Sequence, residues 1–200
     1  MRFSLFLLCP AIIAAQTGPH WGIQGDYFEG QVPSGIVEKF KDLIERPDID
    51  SKSYNAGIVR FDGNGSPSWA IEFTKSQLTL EGRSVTGPVT QELRGDGTVR
   101  GVMATKYANF MSRKHFSFGL AFGGGIGKLE ASYYRYQVPP EPGPFLIVTS
   151  RETVDYTIPT FQAIAQVDIR PVRWISVSPF YGMRNGALGV GGAVRIHFTR

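Results

Sequence analysis

The sequence is poor in cysteine, in charge and in long apolar runs. Its 200 residues contain one cysteine, Cys9. That residue lies in an N-terminal segment that we expect to be removed, which excludes a disulfide-stapled mini-domain and a cysteine nucleophile. Charged residues make up 19% of the chain, below the roughly 25% of a typical soluble domain. After about the first 16 residues, no apolar run approaches the roughly 20 residues that a membrane-spanning helix needs.

Glycine, proline and aromatic residues are plentiful instead. The chain holds 24 Gly, 13 Pro, 14 Phe and 8 Tyr, a composition that favours strands and turns in one domain over a helical bundle. The net charge is only +4, and the basic residues are not gathered into runs. We therefore expect no nucleic-acid partner.

The N-terminus is typical of a secretory signal peptide. Arg2 supplies a short positive region, residues 3–13 are mostly apolar, and Ala14 and Ala15 are the small residues that precede a cleavage site. The sequence therefore predicts a signal peptide over residues 1–15, cleaved near Ala15, and a single exported domain over residues 16–200.

Apolar and polar residues alternate in eight segments of the remaining chain. Strict alternation is the pattern of a strand whose two faces meet different surroundings. The clearest case is the C-terminal segment, where Val190, Val194 and Ile196 share one face while Arg195 lies on the other. The eight segments are residues 21–28, 55–62, 69–76, 100–111, 115–123, 161–170, 175–184 and 188–199.

The lengths of the connections indicate how these strands are joined. Connections of about 31–53, 81–98 and 136–156 are long, and they alternate with short turns at 62–67, 112–114 and 171–173. The last connection is the hairpin dipeptide Asn185-Gly186. This alternation predicts a closed, eight-stranded antiparallel β-barrel, which leaves no exposed sheet edge.

In the eight segments nearly all the charged residues lie on one face of the strand, together with Gly, Ala and Ser. In a soluble barrel the apolar face would point inward and line a ligand cavity, whereas in a membrane barrel it points outward. The small residues beside the charges suit a crowded interior, which favours the membrane arrangement. The predicted interior network comprises Asp26, Arg60, Glu72, Arg100, Lys106, Asp168, Arg170, Arg184 and Arg195.

Two interpretations of that network remain open. The charges would line a narrow, anion-favouring water path, or they would form buried ion pairs that fill the lumen. We favour the filled lumen, because an eight-stranded barrel is just wide enough for side chains to occupy its interior.

Together, the signal segment, the eight alternating segments and the closing run 191–198 resemble a known family. The chain is similar to the small, eight-stranded outer-membrane β-barrel proteins of Gram-negative bacteria, the OmpA-, OmpX- and OmpW-like barrels. The resemblance implies a monomer in the cell outer membrane, in contact with outer-membrane lipid and lipopolysaccharide. It also implies insertion by the barrel insertion machinery, which reads the C-terminal aromatic. The function implied is non-enzymatic and without a cofactor: a structural or surface-interaction role, or a porin-like passage of small solutes.

Two other functions are kept as alternatives. One is a soluble periplasmic, lipocalin-like lipid carrier. The other is a lipid A-modifying hydrolase, because His115 and Ser117, with Glu130 further on, are similar to the His-x-Ser plus Glu arrangement of outer-membrane lipid A deacylases. The match is short, and we expect no catalytic site.

The three histidines of the chain, His20, His115 and His197, fall near the same predicted ends of their strands. Their spacing matches no local metal-ligand motif, so we expect no metal and interpret them as polar residues that plug the barrel.

One helix is predicted, over residues 34–46 in the first long connection. Ser34 can cap it, and Val37, Phe40 and Ile44 form an apolar stripe.

Overall fold

A computed structural model describes residues 18–33, 45–86, 89–138 and 147–198. Eight antiparallel strands pair in chain order, and β1 closes the ring by pairing with β8. The prediction of an all-β, eight-stranded antiparallel barrel is confirmed. The strands are β1 (His20–Gln31), β2 (Glu45–Phe61), β3 (Pro67–Thr86), β4 (Val89–Arg113), β5 (Phe116–Val138), β6 (Ile147–Val172), β7 (Ile175–Arg184) and β8 (Ala187–His197).

Two predictions fall largely outside the described residues. The signal segment 1–15 is one of them. The other is the helix of residues 34–46, of which only Glu45 and Arg46 are described, and these two residues begin β2. Within the described part of the chain, no helix is long and apolar enough to cross a membrane.

The two ends of the barrel differ. Turns 62–66, 114–115 and 173–174 lie at one end, which we call the short-turn end. At the opposite end β7 and β8 meet in the tight turn 185–186, where Asn185 and Gly186 have φ of 49° and 87°. Positive φ at both central residues is what a type I′ hairpin turn needs, so this Asn-Gly dipeptide forms the turn that the sequence predicts.

Strands β3–β6 continue past this tight turn as a sheet that we call the raised sheet. β6 begins to pair with β7 only at Gln162, whose partner is Arg184. Residues 147–161 of β6 pair with β5 but with no other described strand. Much of the chain predicted as long connections is therefore strand, since β3 reaches Thr86 and β4 begins at Val89. Apolar and polar alternation does not predict these extensions, because residues such as Thr153 and Asp155 are polar and exposed and the strand has no apolar face there.

The apolar face of the strands points outward. Phe118 and Val194 are 38% and 50% exposed, whereas the side chain of Arg195 is 2% exposed. Large rings gather near the two ends of this apolar wall. One group lies at the short-turn end (Trp21, Trp69, Phe110, Trp174 and Phe198), and the other lies towards the raised sheet (Tyr27, Tyr54, Phe73 and Tyr181).

Candidate functional site in the barrel interior

Six of the nine predicted network residues lie inside the barrel. Their side chains are at most 5% exposed. The three carboxylates and three guanidinium groups balance in number. A balanced set removes the excess positive charge that would favour anions. The six residues are Asp26, Glu72, Asp168, Arg170, Arg184 and Arg195.

For Arg60, Arg100 and Lys106 the prediction of an interior position is wrong, because all three are exposed on the outer wall. Arg60 pairs with Trp21 and Trp69 across the neighbouring strands. In β4 large side chains occur on both faces, because Val102 and Phe110 point outward while three more face the lumen, so side-chain size does not mark the outer face. The inward residues there are Val99, Met103 and Tyr107.

Arg195 is the centre of one layer of the interior. Its Nη1 lies 2.9 Å from Asp168 Oδ1, and its Nε and Nη2 donate to Gln24 Oε1 and Gln166 Oε1, each at 2.9 Å. Its guanidinium carbon also lies 5.3 Å from the ring centre of Tyr107. All the nitrogens of this guanidinium are thus bonded to residues of β1 and β6, and the group occupies the middle of the lumen.

Arg184 forms a second layer nearer the raised sheet. Its Nη1 lies 2.5 Å from Asp26 Oδ1, and its Nε and Nη2 donate to Gln162 Oε1 at 3.0 and 2.8 Å. The guanidinium carbon lies 5.4 Å from the ring centre of Phe28 and 5.3 Å from that of Phe180. Cation–π contacts of this kind are strongest where water is excluded.

Glu72 joins the two layers. Its carboxylate accepts hydrogen bonds from Gln24, Thr105 and Gln162, the last at 3.0 Å. Gln24 also accepts from Arg195, and Gln162 also accepts from Arg184. The two layers therefore form one connected hydrogen-bond network across the barrel.

The uncharged members of this network were not among the residues predicted from sequence. Gln24, Gln162 and Gln166 are each at most 5% exposed. Their positions along the strands could have identified them, because each is an even number of residues from a buried charged residue and so lies on the same face of its strand.

Two of the three histidines meet at the short-turn end. His20 Nε2 and His197 Nδ1 share a hydrogen bond of 3.0 Å, and His197 Nε2 lies 3.1 Å from Ser176 Oγ. The ring of Phe61 stacks on that of His197, with 3.8 Å between ring centres. His115 lies in a turn at the same end but is not hydrogen-bonded to this pair, and its Nδ1 is 3.2 Å from the carbonyl oxygen of Arg170. No group of three metal-ligating side chains occurs among the described residues.

Arg170 fastens the turns at the same end. Its guanidinium donates to the carbonyl oxygens of Asn64 and Arg113, which belong to two different hairpins, and its Nε lies 3.5 Å from Asp168 Oδ2. The short-turn end is thus held together by a side chain from β6.

The hydrolase candidates are not brought together. Ser117 is buried beside Asp168 on the neighbouring strand, whereas His115 lies exposed in a turn. Glu130 is exposed and pairs with Lys128 at 3.0 Å. It is 13 residues beyond Ser117 on β5, which corresponds to about 43 Å at roughly 3.3 Å per residue. The three side chains therefore form no nucleophile–base–acid arrangement.

Comparisons with known proteins concern the fold alone. No protein-family model matches the chain. No curated protein matches it either. Among solved structures, it is similar to Neisserial surface protein A (NspA), with 13% identity, 90% of this chain and 99% of that chain covered, and a TM-score of 0.43. It is also similar to Ail, the attachment invasion locus protein of Yersinia pestis, with 14% identity, 90% and 99% covered, and a TM-score of 0.41. The closed, eight-stranded antiparallel ring is the fold that the sequence resemblance predicts.

Proposed function

We propose that the chain is an outer-membrane β-barrel protein with a sealed interior, which acts without catalysis by presenting the raised sheet at the cell surface. The arrangement of its outer wall supports the location. An apolar wall with aromatic rings near both of its ends is typical of barrels that cross the outer membrane. The polar interior completes that pattern, since a soluble lipid carrier needs an apolar cavity and this lumen is occupied by ion pairs.

The observation that carries the sealed interior is the network centred on Arg195 and Arg184. Each guanidinium is 0–2% exposed and is bonded to side chains from other strands. An eight-stranded barrel has room for little besides its own side chains. The charges therefore act as a structural plug, and a structural or surface role is better supported than passage of solutes.

The raised sheet supplies the surface for interaction. The described strands leave one side of β6 unpaired over positions 147–160, so that backbone donors and acceptors face outward there, whereas the backbone of Phe161 is hydrogen-bonded to Asn185. The faces of the raised sheet carry hydrogen-bonded polar pairs, for example Tyr133 with Glu152 on the neighbouring strand. The pKa of Tyr133 is raised because its hydroxyl donates a hydrogen bond to the Glu152 carboxylate. A polar sheet with an open edge is suited to binding another protein or a glycan at the cell surface.

Cell fractionation and gel migration test the location. We expect the expressed protein to sediment with the outer membrane and to need detergent for extraction. Unheated samples should migrate differently from boiled ones in SDS gels, because a closed barrel resists SDS until it is heated. Recovery of the protein in the soluble periplasmic fraction, with the same migration before and after boiling, would contradict the proposal.

Planar-bilayer recording tests the seal. We expect the purified full chain to give no stable conductance, because the Arg195 and Arg184 layers close the lumen. A stable current that shrinks or changes ion selectivity in the Arg195→Glu variant would show that the lumen conducts. The matched control is Lys106→Glu, which makes the same charge change on the outer wall.

A further inference from the structure

The outer wall carries a groove between β2, β3 and β4. It has a volume of about 540 Å³. Its apolar lining includes Ala56, Phe73 and Val102, and Lys75 and Arg100 lie along it on the side nearer the raised sheet. Phe73 and Val102 are 68% and 45% exposed, so their side chains are open to a molecule lying against the wall. The described lining contains no acidic residue.

The two cations of the groove lie side by side without a compensating charge. Lys75 and Arg100 are directly opposite each other in the β3–β4 pairing, and Arg100 is opposite Lys128 in the β4–β5 pairing. Like charges directly opposite each other destabilise a sheet. Lys128 is neutralised by Glu130 at 3.0 Å and by Asp155 at 2.9 Å. Neither Lys75 nor Arg100 forms an ion pair with a described residue, so an anion bound between them would relieve the repulsion.

The height of these cations matches the boundary of a bilayer. Arg100 and Phe110 lie ten residues apart on β4, and Phe110 belongs to the rings at the short-turn end. One of these residues is taken up by the β-bulge at Phe110, so at about 3.4 Å per residue and a strand tilt of roughly 40° the separation spans about 23 Å along the barrel axis. The apolar band of outer-membrane barrels is about 25 Å tall. An anion held by Arg100 and Lys75 would therefore lie at the level of the lipid headgroups.

We propose that this groove binds a phosphorylated lipid of the outer leaflet. The lipid phosphate lies between Lys75 and Arg100, and an acyl chain packs along Phe73 and Val102 over the small side chain of Ala56. Cations above an apolar groove complement a lipid that has an anionic head and an apolar tail. The inference rests on the proposed outer-membrane location and adds a ligand to the wall of the barrel.

Binding of lipid A to the full chain, refolded in phosphatidylcholine nanodiscs, tests the site. The probes are phosphorylated lipid A, dephosphorylated lipid A and inorganic phosphate as a competitor. We expect the phosphorylated form to bind at least about tenfold more tightly than the dephosphorylated form, since each cation near a lipid surface contributes a favourable electrostatic term. The double variant Lys75→Gln/Arg100→Gln should lose most of that difference.

The control variant is Arg60→Gln/Lys106→Gln, which removes two outward positive charges away from the groove. It should bind lipid A as the native protein does. Ala56→Leu, which fills the groove and keeps both cations, should also weaken binding. If the double variant fails to fold, Ala56→Leu and the comparison of the two lipid A forms still test whether the groove binds the phosphorylated lipid.

Three results would overturn the site. They are equal binding of the two lipid A forms, equal losses in the groove and control variants, and full displacement of lipid A by inorganic phosphate at matched concentration. A protein that inserts into the outer membrane but gives any of these results refutes the lipid site alone. A protein recovered in the soluble fraction refutes the proposed location instead.

Discussion

Replacing Arg195 with methionine will lower the free energy of unfolding by about 3 kcal/mol or more, because it leaves the Asp168 carboxylate inside the barrel without its closest cation. Arg195 Nη1 lies 2.9 Å from Asp168 Oδ1, whereas the remaining cation, Arg170, has its Nε 3.5 Å from Asp168 Oδ2. The variant also removes the donors to Gln24 and Gln166. Urea unfolding of the protein refolded in detergent micelles, followed by gel migration or tryptophan fluorescence, measures the loss.

Two further variants give this prediction its controls. Arg195→Met/Asp168→Asn should recover part of the lost stability, because an amide is far less costly to bury than an unpaired carboxylate. Lys106→Met, on the outer wall, should change stability by less than about 0.5 kcal/mol, as surface substitutions commonly do. Equal stability of Arg195→Met and Lys106→Met would show that the interior ion pair does not hold the barrel together.

Substituting leucine at Gly191 and at the adjacent Gly192 will have opposite consequences. A side chain at Gly191 would overlap the ring of Phe180 and the carbonyl oxygen of Tyr27, both of which it would meet inside van der Waals distance. We expect Gly191→Leu to lower the free energy of unfolding by about 3 kcal/mol or to prevent folding, which is the upper range for overpacked cores. Nothing lies within 4 Å of the position where a Cβ would stand on Gly192, so Gly192→Leu should fold as the native protein does.

The pair of glycine variants also tests which face of β8 is inside. Residue 191 faces the lumen and residue 192 faces outward, where leucine would meet lipid in the proposed location. The refolding yield in detergent, read from the heat-sensitive migration of the folded band, separates the two variants. If Gly192→Leu were the damaging variant, the assignment of the two faces would be reversed.

The sequence predicts the barrel well where its two faces differ in polarity. The segment 175–184 coincides with β7, and the predicted C-terminal segment 188–199 overlaps nearly all of β8. Both strands have apolar residues on one face and small or charged residues on the other, so that period-2 alternation is visible. The same signal fails in the raised sheet, where both faces meet polar surroundings and alternation no longer distinguishes strand from loop.

The interior network was predictable only in part. Charge, parity and small neighbours placed Arg184 and Arg195 on the inner face, where the structure has them. The same reasoning misplaced Lys106, because β4 carries Met103 and Tyr107 inside and therefore has large side chains on both of its faces. Which carboxylate meets which guanidinium could not be predicted, since Asp26 and Arg184 are separated by most of the chain and meet only through the closed ring.

The interior network draws its members from both ends of the chain, and this restricts the order in which the protein can assemble. Asp26 and Gln24 belong to the first strand, and their guanidinium partners belong to the last two. An open sheet placed in hydrocarbon would present unmatched carboxylates and guanidinium groups to the lipid, at a cost of several kcal/mol for each unmatched group. In the proposed outer-membrane location, we therefore expect insertion and the joining of the first and last strands to proceed together, and we expect a chain that ends before β8 not to be stable in the bilayer.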